Sequence, residues 1–572
     1  MKKQVRLLMS FTLILAMLFA AFGVQASDVS DAPQEIVTIS YGCSSSIPDG
    51  VNEQFSVFNE LRDKTGVQLD IVNYDREKFR VLSAGNDLPD MFVLGDATVI
   101  EALIENEMVI GLNDLIAQYA PNIAEDFAMA MRYQTLIFGD TYFLPENLYN
   151  EPVESQIPVR NAGEGFFTRY DIYKEIGSPE ITDSWGGYFD VLEQMQAYAR
   201  EKYDDDNIYC FSAFTDWGIW PYICMYPFTR GYGDLFDANQ MVDRNTNELQ
   251  DNFLSEDGVF WEGIEYYYEA YRRGLFDPEG LTQKWSQYAE KVQTGKLLVS
   301  SVNWLSPDRE VCGEEAALIL LPNSVAGPIL FTPRQLPMGN RFSWALAINA
   351  KCKYPERAIQ MLNWTNSTDG KRLLVNGVQG ETWDYIDGIP QYIGVFKDEY
   401  LYSGNWSAYH NDYPSGIYGA EAVELFRAFT SDAGEGIAPD GYPYNLRGTR
   451  EMIASTISPG EKLFAEEYGC TYPGEVYMKW AEEGKMASTD IYLTMAAQLF
   501  GNVDEEISVT ESRAVQYFVA NVSKPIMAES KEAFEREKAA MIAEMKNMGL
   551  EDASLAIKAQ FEEALALVEQ FQ

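Results

Sequence analysis

Apolar positions in the first part of the chain change between the spacing of strands and that of helices. "EIVTISYG" at residues 35–42 has the pattern of a strand that ends at a glycine. "NEQFSVFNELRDKTG" places Phe55, Phe58 and Leu61 at helical spacing, and "VQLDIVNY" is a second strand pattern. "REKFRVLSAGNDLPD" predicts a short helix and "MFVLGD" a third strand. This order predicts a parallel sheet with right-handed crossovers, whose ligand-facing loops follow the carboxyl ends of the strands.

The mixture of helix and strand patterns continues to the end of the chain. "GDTYFLPENLY" predicts a crossing between two lobes, "YYYEAYRRGLFDPEG" a helix ended by Gly274, and "KLLVSSVNW" a buried strand that ends at Trp304. "RFSWALAINA" predicts a strand and "YPERAIQMLNWTNSTDGKRLLVNG" one helix. The last segment predicts two covering helices, the first ended by Gly549 and the second capped by Ser554. The predicted class is α/β, with two or three domains or two large lobes.

The amino-terminal residues have the pattern of a secretory signal peptide. A cationic "MKKQVR" precedes an apolar run at residues 7–22, and "VQA" at residues 24–26 fits a cleavage site. The apolar run is shorter than the about 20 residues of a spanning helix. We therefore expect cleavage after Ala26, a polar linker at residues 27–35 and an exported protein.

The charge balance excludes some classes of partner. The chain has 87 Asp and Glu against 43 Lys and Arg, and its net charge is −44. Nucleic acids and anionic membranes both require cationic surface, so neither is an expected partner. An aromatic content of 13% is too high for a disordered chain.

Cysteine and histidine give little support for a metal centre or a catalytic triad. The six cysteines form no C-x-x-C pair, and their spacing favours no particular disulfide: Cys43, Cys210, Cys224, Cys312, Cys352 and Cys470. His410 is the single histidine and lies in a polar stretch. We expect no metal, no cofactor and no catalytic residue.

Several motifs, in order, resemble the extracellular solute-binding proteins of the maltose type (family 1), which serve ABC sugar importers. They are "LSAGNDLPDMFVLGD", "TYFLPENL", "TRYDIYKEIGSPEITDSWGGYFDVL", "YRRGLFDPEG", "TGKLLVSSVNW" and "YPERAIQMLNWTNSTDGKRLLVNGVQGETWDYIDGIP". The resemblance covers nearly the whole chain after the signal segment. It is strongest to the long oligosaccharide-binding branch.

The resemblance implies a two-lobed periplasmic-binding-protein-like fold of type II, with discontinuous lobes that close on a sugar about a hinge. Residues 36–147 with about 345–400 would form the first lobe. Residues 148–344 with about 401–572, including the C-terminal helices, would form the second lobe. The implied partners are an oligosaccharide and the permease subunits of an ABC transporter, with the binding protein itself a monomer. The glycine-rich loop at residues 375–390 would rim the cleft.

The sequence departs from the family branch at two places. A lipobox cysteine would follow the signal core directly, whereas Cys43 comes later, so the resemblance does not extend to a lipid anchor. "KYDDDNIY" at residues 202–209 stands where many members hold calcium. Its acids are too compressed for ligation by alternate residues, and we expect an acidic turn instead.

Sugar binding requires flat aromatic rings for the C–H faces and polar groups for the hydroxyls. The resemblance places Trp217 and Trp304 at stacking positions, with Trp220 packed beneath Trp217; core packing is the alternative for each. The predicted polar contacts, for which a surface or hinge charge is the alternative, are Asp96, Glu146, Asp216 and Arg341. Trp383 and Glu381, in the loop at residues 375–390, are weaker candidates.

Two other classes of function remain open from the sequence. A secreted carbohydrate-active enzyme would need two carboxylates at a fixed separation, and no pair stands out among 87 acids. A glycan-binding protein without a transporter would share the fold. Hydrolysis of a glycan panel would distinguish the enzyme, and a neighbouring permease gene the importer.

Overall fold

The computed structural model describes sixteen parts of the chain: residues 35–43, 56–95, 99–146, 148, 164–182, 185–235, 239–321, 329–335, 337–339, 342, 344–394, 397, 429–431, 436–491, 494–501 and 503–571. Their strands are β1 Val37–Cys43, β2 Val67–Asn73, β3 Met91–Val93, β4 Glu164–Arg169, β5 Tyr232–Leu235, β6 Gln240–Asp243, β7 Leu249–Asp251, β8 Val299–Val302, β9 Leu318–Leu320, β10 Ile329–Gln335, β11 Leu346–Ile348, β12 Trp383–Ile386, β13 Ile389–Tyr392 and β14 Ala487–Ile491. Among the described residues, no helix combines the length and the apolar character needed to cross a membrane.

The α-helices of the described residues fall into three groups along the chain. The first fifteen are α1 Ser56–Thr65, α2 Arg76–Ala84, α3 Ile100–Glu105, α4 Asn113–Tyr119, α5 Pro121–Asp126, α6 Ala128–Phe138, α7 Tyr170–Glu175, α8 Trp185–Tyr203, α9 Trp220–Ile223, α10 Tyr226–Thr229, α11 Val259–Arg272, α12 Trp285–Gln293, α13 Arg309–Cys312, α14 Pro355–Thr365 and α15 Thr368–Asn376. The next three are α16 Arg450–Thr456, α17 Pro459–Glu467 and α18 Pro473–Glu482. The C-terminal group is α19 Met495–Leu499, α20 Glu505–Asn521, α21 Ser523–Ile526, α22 Lys531–Asn547 and α23 Leu550–Phe571.

The first sheet has the strand order β2-β1-β3-β11. β1 runs parallel to both β2 and β3, and β11 returns antiparallel beside β3. Helix α1 connects β1 to β2 and buries the predicted residues Phe58 and Leu61. The predicted strand–helix–strand–helix–strand order is therefore confirmed, with parallel neighbours as right-handed crossovers require.

This sheet and the helices around it form the first lobe. Its core joins residues of β1 and β2 to Ile359 and Leu362 of α14, far along the chain. Phe429 belongs to the same core, and its ring lies 4.8 Å from that of Tyr41 on β1. The first lobe is therefore discontinuous in sequence.

The second lobe is built on the antiparallel sheet β8-β4-β9 and the antiparallel meander β5-β6-β7. Its core is rich in aromatic rings, contributed by β4, α8 and α11, and it extends to α17, α18, α20 and α22. Trp261 of α11 is fully enclosed there, and its indole N–H donates to the carbonyl of Phe253 at 2.9 Å.

A third apolar cluster joins the two lobes. It contains Phe79 and Phe92 of the first lobe, Val242 of the meander, and Phe561 and Phe571 of α23. The N-terminal part of α23 packs in the core of the second lobe, whereas its last turn lies under the guanidinium of Arg132, 4.8 Å from the ring of Phe571. The C-terminal helix therefore contacts both lobes.

Three further contacts connect distant parts of the chain, and the first of them lies within the first lobe, whose core contains both Leu144 and Leu346. Leu144, in the predicted crossing segment, pairs with Leu346 of β11, and β10 pairs in parallel with β14. The segment at residues 436–448 contacts α15 of the first lobe, since Asp440 forms a 2.9 Å ion pair with Arg372. The sequence analysis assigns residues beyond about 400 to the second lobe. The ion pair of Asp440 with Arg372 instead links this part of the chain to the first lobe. The exact lobe boundaries stay a prediction.

Three local predictions need correction. The long helix predicted from residue 354 is two helices: the first ends at Thr365, and Ser367 caps α15 by accepting from the Gly370 amide. The glycine-rich loop at residues 375–390 contains the β12–β13 hairpin. Its turn residues Asp387 and Gly388 both have positive φ, as a two-residue type I′ turn requires. Ser554 lies inside α23 and is no cap; its hydroxyl accepts from the Gln240 amide at 3.1 Å.

A carboxyl group is buried where α20 meets the meander. Glu511 is 3% exposed and accepts hydrogen bonds from the backbone and side-chain amides of Asn239. Burial, which outweighs these bonds, raises the pKa of Glu511 to about 7, and nearby Asp251 adds to the rise. The folded protein therefore binds more protons than the unfolded chain between the ordinary pKa of glutamate and about 7. Its stability falls as the pH rises through that window.

Replacing this carboxyl by an amide should remove part of the pH dependence. We expect Glu511→Gln to raise the free energy of unfolding at pH 8 by about 1–3 kcal/mol, because no charge is then buried. At pH 5 the variant and the wild type should be alike. Thermal melts at both pH values measure this, with exposed Glu563→Gln on α23 as the control. Equal effects of Glu511→Gln at both pH values would contradict the assignment.

Candidate functional site

Six aromatic side chains form one continuous cluster on the second lobe, which we call the aromatic platform. Each has at least one other ring of the cluster within 6.5 Å. They are Phe214, Trp217, Trp220, Trp285, Tyr288 and Trp304.

The three tryptophan-bearing segments meet because they follow one edge of neighbouring extended segments that pair in parallel. Tyr209 pairs in parallel with Leu297, just before β8, and Phe211 pairs in parallel with Phe276 on its other side. Parallel neighbours place their carboxyl ends at the same edge. The residues that follow those ends include Trp217, Trp285 and Trp304.

Trp217 and Trp285 are stacked face to face, with ring centroids 4.4 Å apart and planes at 22°. Phe214 is buried below them and meets Trp217 edge-on at 5.3 Å and Trp285 at 5.1 Å. One face of the Trp217 indole is therefore covered by protein. In total, 42% of Trp217 is exposed.

Trp304 lies at the other end of the platform. Its ring is 5.9 Å from Trp220 and 6.5 Å from Trp285, and 57% of the residue is exposed. β8 ends at Val302, so Trp304 stands two residues beyond the strand rather than at its last position. Tyr288 is buried beneath and shares a 3.3 Å hydrogen bond with Ser301 of β8. Burial raises the pKa of Tyr288, so its hydroxyl stays protonated.

The loop that carries Trp217 is fastened to the start of α12. The Thr215 amide donates to the Gln283 carbonyl at 3.0 Å, and the Trp285 amide donates to Oδ1 of Asp216 at 2.9 Å. Gly218 has a φ of +59°, and a Cβ at this position would lie 3.3 Å from Val515 of α20. The loop is therefore held from the side by α12 and from below by α20.

The structure tests none of the other predicted polar residues as ligand contacts. Asp96 and Arg341 lie outside the described residues. Glu146 stands at the crossing and is only 1% exposed. Asp216 is exposed beside Trp217. Their roles in binding stay predictions.

Trp383 and Glu381 lie on the first lobe around the β12–β13 hairpin. Trp383 is 5% exposed, and its indole N–H donates to the Gly377 carbonyl at 2.9 Å. The guanidinium of Arg372 lies 5.4 Å from the Trp383 ring. Glu381 accepts from Ser56, the first residue of α1, at 2.9 Å. The hairpin region therefore contacts the start of α1, but the ring of Trp383 packs inside the lobe.

The acidic turn at residues 204–207 is held by its own contacts. Asp205 Oδ1 accepts from the Asn207 amide at 2.8 Å, and its other oxygen lies 3.5 Å from the ammonium of Lys296. The Asn207 amide and Lys296 lower the pKa of Asp205. Within the described residues, no group of three His, Cys, Asp or Glu side chains forms a metal site. All six cysteines are present as free thiols, and four of them are buried.

The sequence prediction missed Trp285. It sits at the first position of α12 in "TQKWSQY", where polar residues surround it on both sides. An isolated tryptophan among polar residues at a helix start is a signal for an exposed ring. Its partner Trp217 could not be recognised from spacing, because the two residues come from different segments.

Comparison with known proteins identifies the family. Residues 46–372, more than half of the chain, match the family of bacterial extracellular solute-binding proteins. The chain belongs to this family. Membership of a family of extracellular solute-binding proteins implies an exported protein, as expected from the sequence.

A curated relative is the fructooligosaccharide ABC transporter substrate-binding protein FusA of Streptococcus pneumoniae serotype 4. The two are 24% identical over 311 residues, which are 52% of this chain and 54% of FusA, so the match spans about half the length of the relative.

Two solved structures extend the likeness to the fold. FusA in complex with kestose has a TM-score of 0.60 at 17% identity, covering 93% of this chain and 100% of FusA. An HMO-binding, ABC-transporter-associated solute-binding protein from Bifidobacterium longum infantis has a TM-score of 0.55 at 12% identity, covering 92% and 99%. These likenesses confirm the predicted two-lobed α/β fold.

Proposed function

We propose that this protein is the extracellular substrate-binding component of an ABC importer and that it captures an oligosaccharide between its two lobes. Family membership supports the transport role, and the fructooligosaccharide-binding relative supports the ligand class. The observation that carries the proposal for this chain is the aromatic platform, which presents two exposed indoles on one surface.

The platform suits a sugar for a physical reason. Pyranose and furanose rings have apolar C–H faces, and an exposed indole face removes such a surface from water. Trp217 is stacked on Trp285 on one face and remains 42% exposed, so part of its indole is available to stack on a sugar ring. Trp304 offers a second surface linked to the first through Trp285. Two indoles on one platform favour an oligosaccharide over a monosaccharide.

Closure of the lobes would bring further polar groups to the sugar hydroxyls. We propose Asp96, Glu381 and Arg341 for this role. Glu146 and Trp383 are both buried, and either would reach a ligand only after a rearrangement on closure. The bound sugar would then be delivered unchanged to permease subunits by a monomeric binding protein.

Binding without turnover is the first test. We expect a thermal shift with at least one member of a panel that contains kestose, other neutral oligosaccharides and acidic oligosaccharides. At a ligand concentration of about 100 times Kd, binding adds about 2.7 kcal/mol to the stability of the folded state. Chromatography of the sugar after incubation should show it intact. Enzyme-like hydrolysis would contradict the proposal, as would the absence of any shift.

Trp304→Ala is the second test, because it distinguishes a binding residue from a core residue. Loss of a stacking ring costs about 2 kcal/mol or more, so affinity for the bound panel sugar should fall roughly thirtyfold. The ligand-free variant should melt within a few degrees of wild type, since more than half of Trp304 is exposed. Trp261→Ala is the buried control and should lose about 3–5 kcal/mol of stability. Unchanged affinity of Trp304→Ala would place the ligand elsewhere.

We also propose that the mature protein starts after Ala26 and carries no lipid on Cys43. The position of Cys43 in the fold supports this. It is the last residue of β1, 1% exposed, and β1 lies between β2 and β3. A lipidated cysteine would be the first residue of the mature chain, and processing there would remove the central strand of the first sheet.

Intact-mass and amino-terminal peptide analysis of the protein from its native host test this processing. We expect a mature chain that begins at Ser27 with an unmodified Cys43 thiol. Cys43→Ser should leave both the processing and the cellular distribution unchanged. A diacylglyceryl group on Cys43 at the mature terminus would refute the proposal.

A further inference from the structure

We infer that Asp216 is a positioning residue that holds Trp217 and Trp285 stacked before any ligand arrives, and that its carboxylate does not itself bind the sugar. The inference rests on the proposed function, because it takes the aromatic platform to be the binding surface. It assigns a different role to Asp216 from the ligand contact predicted from the sequence.

The amide of Trp285 needs an acceptor from outside its own helix. Trp285 is the first residue of α12, and amides in the first turn of a helix have no intrahelical carbonyl partner. Oδ1 of Asp216 supplies the acceptor at 2.9 Å. A carboxylate at this end of a helix is also favoured by the helix dipole. The side chain of Asp216 therefore caps a helix that belongs to another segment.

Thr215 fastens the same two segments at the neighbouring position. Its amide and its hydroxyl both donate to the Gln283 carbonyl, at 3.0 and 3.1 Å. The ammonium of Lys284 donates to the Thr215 hydroxyl at 3.2 Å. Two consecutive residues before Trp217 are thus bonded to the three residues 283–285. We call this set of hydrogen bonds the Thr215–Asp216 staple.

The staple explains why the two indoles are already face to face. It fixes the backbone on the N-terminal side of Trp217 against the backbone of Trp285, and buried Phe214 supports both rings from below. Groups that are ordered before binding lose less conformational entropy when the ligand arrives. The staple would therefore strengthen sugar binding without a contact between Asp216 and the sugar.

If Asp216 has this role, two substitutions at this position should have different effects. An asparagine oxygen accepts from a helix amide about as well as an aspartate oxygen, whereas alanine does not. If Asp216 acts through the staple, Asp216→Asn should behave like wild type and Asp216→Ala should not. If the carboxylate bound sugar hydroxyls directly, both variants would lose the charge and hence affinity.

Two measurements on the full-length protein test the inference. Hydrogen exchange at the Trp285 amide in the ligand-free protein measures how well the hydrogen bonds of the staple protect this amide. Calorimetry with kestose, or with the panel sugar that gives the largest thermal shift, reports binding. For Asp216→Ala we expect exchange at Trp285 to accelerate roughly fivefold or more, with affinity about fivefold weaker. For Asp216→Asn both quantities should stay within about twofold of wild type.

Each of the following results would overturn the inference. Weaker binding by Asp216→Ala with unchanged exchange would show that the side chain acts on the ligand. Weaker binding by Asp216→Asn with slow exchange preserved would show the same. Faster exchange with unchanged affinity would show that the staple does not prepare the binding surface.

A third variant separates this inference from the proposed function. Trp217→Ala removes the stacked ring but leaves the hydrogen bonds of the staple in place. If Trp217→Ala binds the sugar like wild type, the platform is not the binding surface and the proposed function loses its site. The exchange rate at Trp285 in Asp216→Ala still decides, independently of any sugar, whether the staple exists.

Discussion

Parallel pairing between neighbouring extended segments determines where this protein presents its functional residues. In the first lobe β1 lies between β2 and β3 and parallel to both. In the second lobe the segment from Tyr209 to Phe211 lies between two parallel neighbours. Parallel strands place their carboxyl ends at one edge, so loops that are distant in sequence become neighbours. An antiparallel pairing of either neighbour would send its tryptophan to the opposite edge, and the aromatic platform would not form.

The third apolar cluster determines how far the two lobes can move independently. Helix α23 has 22 residues and is therefore about 33 Å long, comparable with the diameter of a small domain. Its first turns pack in the core of the second lobe and its last turns in the cluster shared with the first. Because α23 contacts both lobes, a movement of one lobe relative to the other must change the packing of α23 against at least one of them.

The sequence predicted those parts of the fold that depend on local periodicity. β1, β2 and β3 alternate or run apolar between glycines and turns, so their positions and the parallel order followed directly. The break at Ser367 was missed because apolar spacing continues through both helices, although the serine before Thr368 and Asp369 is a local cap signal. The β12–β13 hairpin was missed although "DG" between apolar residues is a strong signal of a type I′ turn. In both cases a short cap or turn signal, rather than apolar spacing, determines where one element ends and the next begins.

The candidate site could be predicted from the sequence only where a residue lies in a recognisable sequence motif. Trp217 and Trp304 were found through their motifs, and the structure leaves both exposed. Trp285 and the capping role of Asp216 depend on a contact between segments about seventy residues apart, which no local pattern encodes.

A comparison of Trp217 with the buried Trp261 shows why the exposure of the platform rings matters. Trp261 is enclosed on every side and its indole N–H is bonded inside the core, as is usual for a tryptophan that stabilises a fold. Trp217 is 42% exposed, and the ring stacked on it belongs to Trp285, whose backbone amide is bonded to Asp216. A fold gains little from ordering an exposed apolar face against water, and contiguous exposed apolar surface on a soluble protein commonly marks an interaction site. The order of the platform, more than its composition, is therefore the feature that favours recognition of a ligand over packing.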